Sequence, residues 1–160
     1  MVWRVEARAK SMLDRGDAGG AAELLRSAIA REVRRNPRHL NLLGVCEARM
    51  GHFDAARKLF LSVLSDFPED AAALTNMGNL AFLEGDHETA RRYYTKALQQ
   101  NFLLREPRFN LIRSYQYMGH FEKAMMAYQD YLEITKLGRL FHPALLLLLV
   151  IAGLVLLLRH

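Results

Sequence analysis

Little in this chain could brace it covalently. Its 160 residues include a single cysteine, Cys46, so no disulfide can close within the chain, which fits a reducing compartment. The usual signatures of catalysis are missing too. There is no glycine-rich phosphate loop, no nucleophile elbow and no clustered carboxylate pair, so the expectation is a protein that is not an enzyme and takes no cofactor, metal or small-molecule substrate. Charge of one sign is scarce. Lys and Arg number 22 against 17 Asp and Glu, for a formal +5 and a pI near 9.6. The excess is scattered among acids rather than gathered in a block, which argues against a nucleic-acid partner. The N-terminus, Met1-Val2-Trp3-Arg4-Val5-Glu6, meets its charges before any apolar core forms, so no signal peptide is predicted. Hydrophobic residues make up 51%, but an unbroken run at residues 144–158 holds an outsized share of them. The remainder has the composition of one globular domain.

What is present is a period. Gly51, Gly85 and Gly119 stand 34 residues apart, and Gly16 precedes Gly51 by 35. Five residues after each glycine comes an alanine (Ala21, Ala56, Ala90, Ala124), and four further on a bulky residue (Leu25, Phe60, Tyr94, Tyr128). Seven residues before each glycine stand Ala9, Gly44, Gly78 and Ile112. Apolar residues on both sides of each glycine recur at spacings of three and four, which is helical. Glycine can end the first helix of a pair in the left-handed conformation. Alanine lets the two helices approach, and the bulky residue fills the wedge between hairpins. One such hairpin cannot bury its apolar face alone, so the units must stack. Pro37, Pro68 and Pro107 fall at the seams, where a helix must stop or start.

This spacing resembles the tetratricopeptide repeat. The residues that carry the resemblance are Leu40, Gly44, Ala56, Phe60 and Pro68 in the second unit, Leu74, Gly78, Ala90, Tyr94 and Ala97 in the third, and Tyr115, Gly119, Ala124 and Tyr128 in the fourth. The first unit is weaker, with one extra residue before Pro37 and Gly19-Gly20 opening its second helix, where glycine is unfavourable. The resemblance implies an all-α, right-handed solenoid of about four antiparallel hairpins, at residues 2–36, 37–70, 71–104 and 105–137. It further implies that the first helix of each hairpin lines a concave groove for a partner peptide or helix. Read onto this chain, the groove residues are Asn41, Asn76, Asn79, Phe82, Asn110, Arg113, Gln116 and Tyr117. The two-carboxylate clamp of the family's heat-shock cochaperones is absent: Asn76 matches one of its places, but Asn41, Val45, Glu106 and Asn110 fill the others.

After a short link at 138–143 the apolar run begins. Residues 140–158 carry no formal charge, and a helix of that length spans about 28 Å, close to the ~30 Å hydrocarbon core of a bilayer. The expectation is one C-terminal transmembrane helix at residues 144–158, extending from residue 140 at most. Lys136 and Arg139 before the run against Arg159 after it agree with a cytosolic N-terminal domain on a bacterial inner membrane or a eukaryotic organelle membrane. Pro143 suits the first turn of that helix and Gly138 the end of the one before.

The histidines His52, His87 and His120 recur just after the turn glycines. They are a repeat apart, too far to share one ion, and are read as solvated turn residues. Cys46 is read as a small core residue. In the second helices, Arg57-Lys58 and Arg91-Arg92 of units two and three are replaced by Met125-Met126 in unit four, with Tyr131 nearby. Methionines on an outward face predict a partner or membrane surface there. The sequence therefore predicts a membrane-tethered adaptor that binds protein through its groove and lipid through its tail. The rival is an accessory subunit or assembly factor of a membrane complex, held by the anchor and the end of repeat four. A lesser alternative is an organelle-division adaptor.

Overall fold

A computed structural model describes residues 2–140 of the chain. Eight helices follow one another: α1 (Val2–Asp14), α2 (Ala18–Ile29), α3 (Pro37–Arg49), α4 (Phe53–Asp66), α5 (Ala71–Leu83), α6 (His87–Gln100), α7 (Arg105–Tyr117) and α8 (Phe121–Leu140). They pair as four hairpins, and no strand occurs among the described residues.

The hairpin turns are set by one backbone device used four times. Gly16, Gly51, Gly85 and Gly119 have φ of 83°, 83°, 80° and 73°, and no other residue type has positive φ among the described residues. At each turn the amide after the glycine reaches back five residues: Asp17 to Met12, His52 to Glu47, Asp86 to Ala81 and His120 to Tyr115, each at 2.9 Å. This closes the orphan carbonyls of the first helix. The helices then restart on caps: Asp17 accepts from the Gly20 amide, Asp70 from Ala73 and Asp86 from Thr89. Gly20, unfavourable by propensity, has a local reason. A Cβ there would lie 2.4 Å from the capping carboxylate of Asp17 and 2.7 Å from Met12.

Packing follows the period. A Cβ on Gly44 would come within 2.4 Å of the Phe60 ring, and one on Gly78 within 2.5 Å of the Tyr94 ring. Each ring therefore lies against its own hairpin's first helix, and residues of the next hairpin cover it. Leu25 packs with Leu43 and Cys46, Phe60 with Met77 and Leu80, and Tyr94 with Ala81 and Leu111. Burying one such side chain stabilises the stack by roughly 1.5–3 kcal/mol. Ion pairs lace neighbouring units: Arg26 of α2 holds Glu47 of α3, and Arg57 of α4 holds Glu84 after α5.

The first helices touch one another along the stack, α1 with α3, α3 with α5 and α5 with α7, whereas the second helices make no comparable contact with each other. The first helices therefore form the inner wall. The structure departs from expectation at the end of the fourth unit. Helix α8 runs through Gly138 to Leu140, past the expected boundary at 137 and into the expected 138–143 link. One glycine costs a helix about 1 kcal/mol, and Leu137, Arg139 and Leu140 around it are good helix formers. No helix among the described residues is long and apolar enough to cross a membrane. The expected anchor at residues 144–158 lies outside the described residues.

Candidate partner-binding groove

The inner wall is built from α3, α5 and α7. A hollow of about 200 Å³ lies where α3 meets α5, lined by Val45, Ala48, Phe60, Asn76, Leu80 and Leu83 among others. Further along, α5 and α7 bring three predicted residues together with an unpredicted one from α6. The rings of Phe82 and Tyr117 meet edge to face at 5.3 Å. His87, from the start of α6, packs against both, with centroids 4.8 Å from Phe82 and 4.7 Å from Tyr117. The Arg113 guanidinium lies 4.7 Å from the centre of the Phe82 ring, a cation–π contact worth about 0.5–1 kcal/mol at a partly exposed site. Tyr117 remains 64% exposed, so the cluster forms an open aromatic platform beside a cation.

The predicted asparagines divide into one open side chain and three that serve the fold. Asn41 is buried, and its Nδ2 donates at 3.0 Å to Asp70, the residue that caps α5. It ties α3 to the next hairpin, while its Oδ1 is enclosed without a partner. Asn79 is a hub. Its Oδ1 accepts from the Tyr94 hydroxyl and from Asn110 Nδ2, each at 2.9 Å, and its own Nδ2 donates to Glu106 at 3.0 Å. That network joins α5, α6 and α7 and occupies Asn110 as well. Burial, with the nearby Glu106 carboxylate adding to it, pushes the Tyr94 phenol above its ordinary range. Asn76 alone, half-buried on the groove wall, makes no side-chain hydrogen bond within the described residues. Gln116 is displaced from the expected set. It lines a different hollow, of about 360 Å³, between α7 and α8, together with Ile112, Phe121, Ala124, Met125 and Tyr128.

Of the three turn histidines, His52 is exposed and bonds Glu47 at 2.9 Å, and His120 is exposed. His87 departs from its expected place in solvent. Its ring is half-buried in the aromatic cluster and its Nδ1 is enclosed without a partner. The available signal was its position five residues after Phe82, across the turn. His39, not singled out by sequence, is 1% exposed and sits between Glu6 of α1 and Glu32 of the α2–α3 link. This buried cluster fastens the first hairpin to the second. Cys46 is fully buried, and burial pushes its thiol up to about 11, which makes it a poor nucleophile. Arg91 and Arg92 pair with Glu88. Met125 and Met126 are exposed on α8, and Tyr131 is half-buried against Tyr128.

The tetratricopeptide repeat family model matches residues 6–49 and 47–101. Among solved structures, a crystal structure of MamA superposes with a TM-score of 0.65 at 21% identity, covering 79% of this chain and 73% of that one. A tetratricopeptide repeat protein from Parabacteroides merdae gives 0.66 at 24% identity, over 83% of this chain and 53% of that one. A chain of the APC/C hetero-tetramer Cut9-Hcn1 gives 0.69 at 22%, over 80% of this chain and 26% of that one. At these identities the likeness concerns the fold. No curated relative matches the sequence. The matched repeats span more than half of the chain and coincide with the hairpins built on left-handed glycine turns, so the chain belongs to the tetratricopeptide repeat family.

Proposed function

We propose that the protein is a non-catalytic scaffold that holds a partner peptide or helix against the inner wall formed by α3, α5 and α7. The observation that carries this reading is the platform of Phe82, His87 and Tyr117 beside Arg113. Asn76, with its amide free for a ligand, lies on the same wall. Aromatic anchors and Arg are what protein interfaces concentrate in their energetic centres. An unpaired amide can both donate to and accept from a peptide backbone. The finer reading adds a tether: residues 144–158 insert in a bilayer and leave the repeat domain on the cytosolic side. Its support is the uncharged run in the sequence.

A second reading, an accessory subunit or assembly factor of a membrane complex, is favoured by the exposed apolar side chains of α8, among them Met125 and Met126 at 65% and 66%. One experiment separates the two. The full chain, tagged at its N-terminus, is extracted from its own membrane in mild detergent and washed with salt. Partners lost at moderate salt, with the chain still membrane-bound beforehand, support the scaffold. A salt-resistant stoichiometric membrane complex supports the subunit reading, and recovery in the soluble fraction without detergent overturns the tether.

A further inference from the structure

The fourth hairpin ends differently from the two before it. In units two and three Gly44 and Gly78 leave room for the Phe60 and Tyr94 rings, which are 1% and 0% exposed. Unit four has Ile112, itself buried, at the glycine position. Tyr128, the counterpart of Phe60 and Tyr94, has no following hairpin among the described residues to cover it and is 48% exposed, with its ring stacked on Tyr131 at 6.4 Å. It thereby joins Phe121, Met125 and Leu132, all exposed. Their spacing of four, three and four residues along α8 is that of the apolar seam of a coiled coil. The stripe is about 16 Å long. With Met126 on its flank it exposes on the order of 600 Å², taking about 200 Å² per large side chain, which is the upper end for a monomer's surface.

We propose that this stripe pairs with the same stripe of a second copy of the chain, as a parallel, two-fold-related pair of α8 helices. The other end of the stack cannot serve as the partner. The positions that dock α3 and α5 on the preceding hairpin are Leu43 and Cys46, then Met77 and Leu80. Their counterparts on α1 are Arg8 and Ser11, both exposed. Head-to-tail growth would press a cation against an apolar seat. The α8 stripe, by contrast, complements itself. It carries no charge, and the positions flanking it are Glu122 and Gln129 on one side and Ala124 and Tyr131 on the other, so no like charges face each other across the pair. Lys123 and Asp130 fall on the opposite face of the helix. The parallel sense rests on reading residues 144–158 as an anchor, since two chains held in one membrane leave it on the same side. The stripe is smaller than the ~800 Å² per partner of a stable complex, so the pair forms where the membrane concentrates the chains.

The test is cross-linking of the full chain in its membrane with a short bis-maleimide. Three variants are compared: Phe121→Cys, Met125→Cys and Asp130→Cys. The wild type is the control, because Cys46 is buried. The proposal expects Phe121→Cys and Met125→Cys to convert the bulk of the chain to a species of twice the mass, and Asp130→Cys to stay monomeric. No cross-link from Met125→Cys, or equal cross-linking from Asp130→Cys, overturns the pair. Cross-linking from Met125→Cys without Phe121→Cys overturns the parallel sense, because an antiparallel pair sets residue 121 opposite residue 132. Alkaline carbonate extraction of the same samples reads the anchor separately. If the chain is released while the Phe121→Cys cross-link persists, only the anchor reading fails.

Discussion

Replacing Asn79 by alanine removes the hub that joins α5, α6 and α7, and its cost can be worked from the geometry. The Tyr94 hydroxyl belongs to a side chain with no exposed surface and donates only to Asn79 among the described bonds. Left without an acceptor it costs about 1–3 kcal/mol. The bonds from Asn110 and to Glu106 lie nearer solvent, where water replaces them, and they add a few tenths each. Asn79→Ala should therefore destabilise the fold by about 2–3 kcal/mol, read as a lower urea midpoint at unchanged slope. In the Tyr94→Phe background the orphaned hydroxyl is gone, so the same substitution should cost at least ~1 kcal/mol less, a coupling that a double-mutant cycle measures. Additive effects, or a loss below ~0.5 kcal/mol for Asn79→Ala alone, would refute the assignment of Asn79 to the fold and return it to the groove.

Gly78→Ala places a methyl 2.5 Å from the Tyr94 ring. Overpacking of ~1–3 kcal/mol outweighs the ~1 kcal/mol gained in helix propensity, so the variant should melt lower. Gly19→Ala meets nothing within 4 Å and should melt slightly higher, by the equivalent of about 0.5 kcal/mol. Because the Cys46 thiol is held at about 11 against an ordinary 9.0, the folded state favours the neutral thiol. Its stabilisation is complete below pH 9 and is lost as pH rises to about 11, by up to ~2–3 kcal/mol. Cys46→Ala should lack that segment when urea midpoints of the two proteins are compared across the range. Arg113→Ala removes a cation–π contact on a half-buried side chain; a melting-temperature loss of only a degree or two is expected, alongside weaker partner capture.

The fold was legible because its devices are local. A glycine that must take positive φ, an alanine five residues on and a ring four beyond that recur on one period, and each has a physical job that a single residue type performs. The groove was less legible because a repeat pattern says which face a side chain occupies, not what it meets across the next hairpin. Asn41, Asn79 and Asn110 occupy inner-wall positions as the period implies, yet Asn41 bonds Asp70, Asn79 bonds Tyr94 and Glu106, and Asn110 bonds Asn79, contacts 15 to 31 residues away in sequence. His39 escaped notice, and His87 was read as a solvated turn residue, for the same reason, since their neighbours come from other helices. The exposure of Tyr128 was readable in principle, since the repeat that would cover it is not among the four that the glycine period marks.

The central claim is that the α5–α7 platform of this repeat stack binds a protein partner. It is tested most directly by co-purification of the full chain carrying Tyr117→Ala, beside one carrying Met125→Glu and Met126→Glu. Tyr117 is mostly exposed, so its truncation should leave the circular dichroism spectrum and melting temperature unchanged. Tyr117→Ala should lose the salt-sensitive partner that wild type retains, and the α8 variant should keep it. Retention of that partner by Tyr117→Ala, with loss from the α8 variant, would contradict the claim.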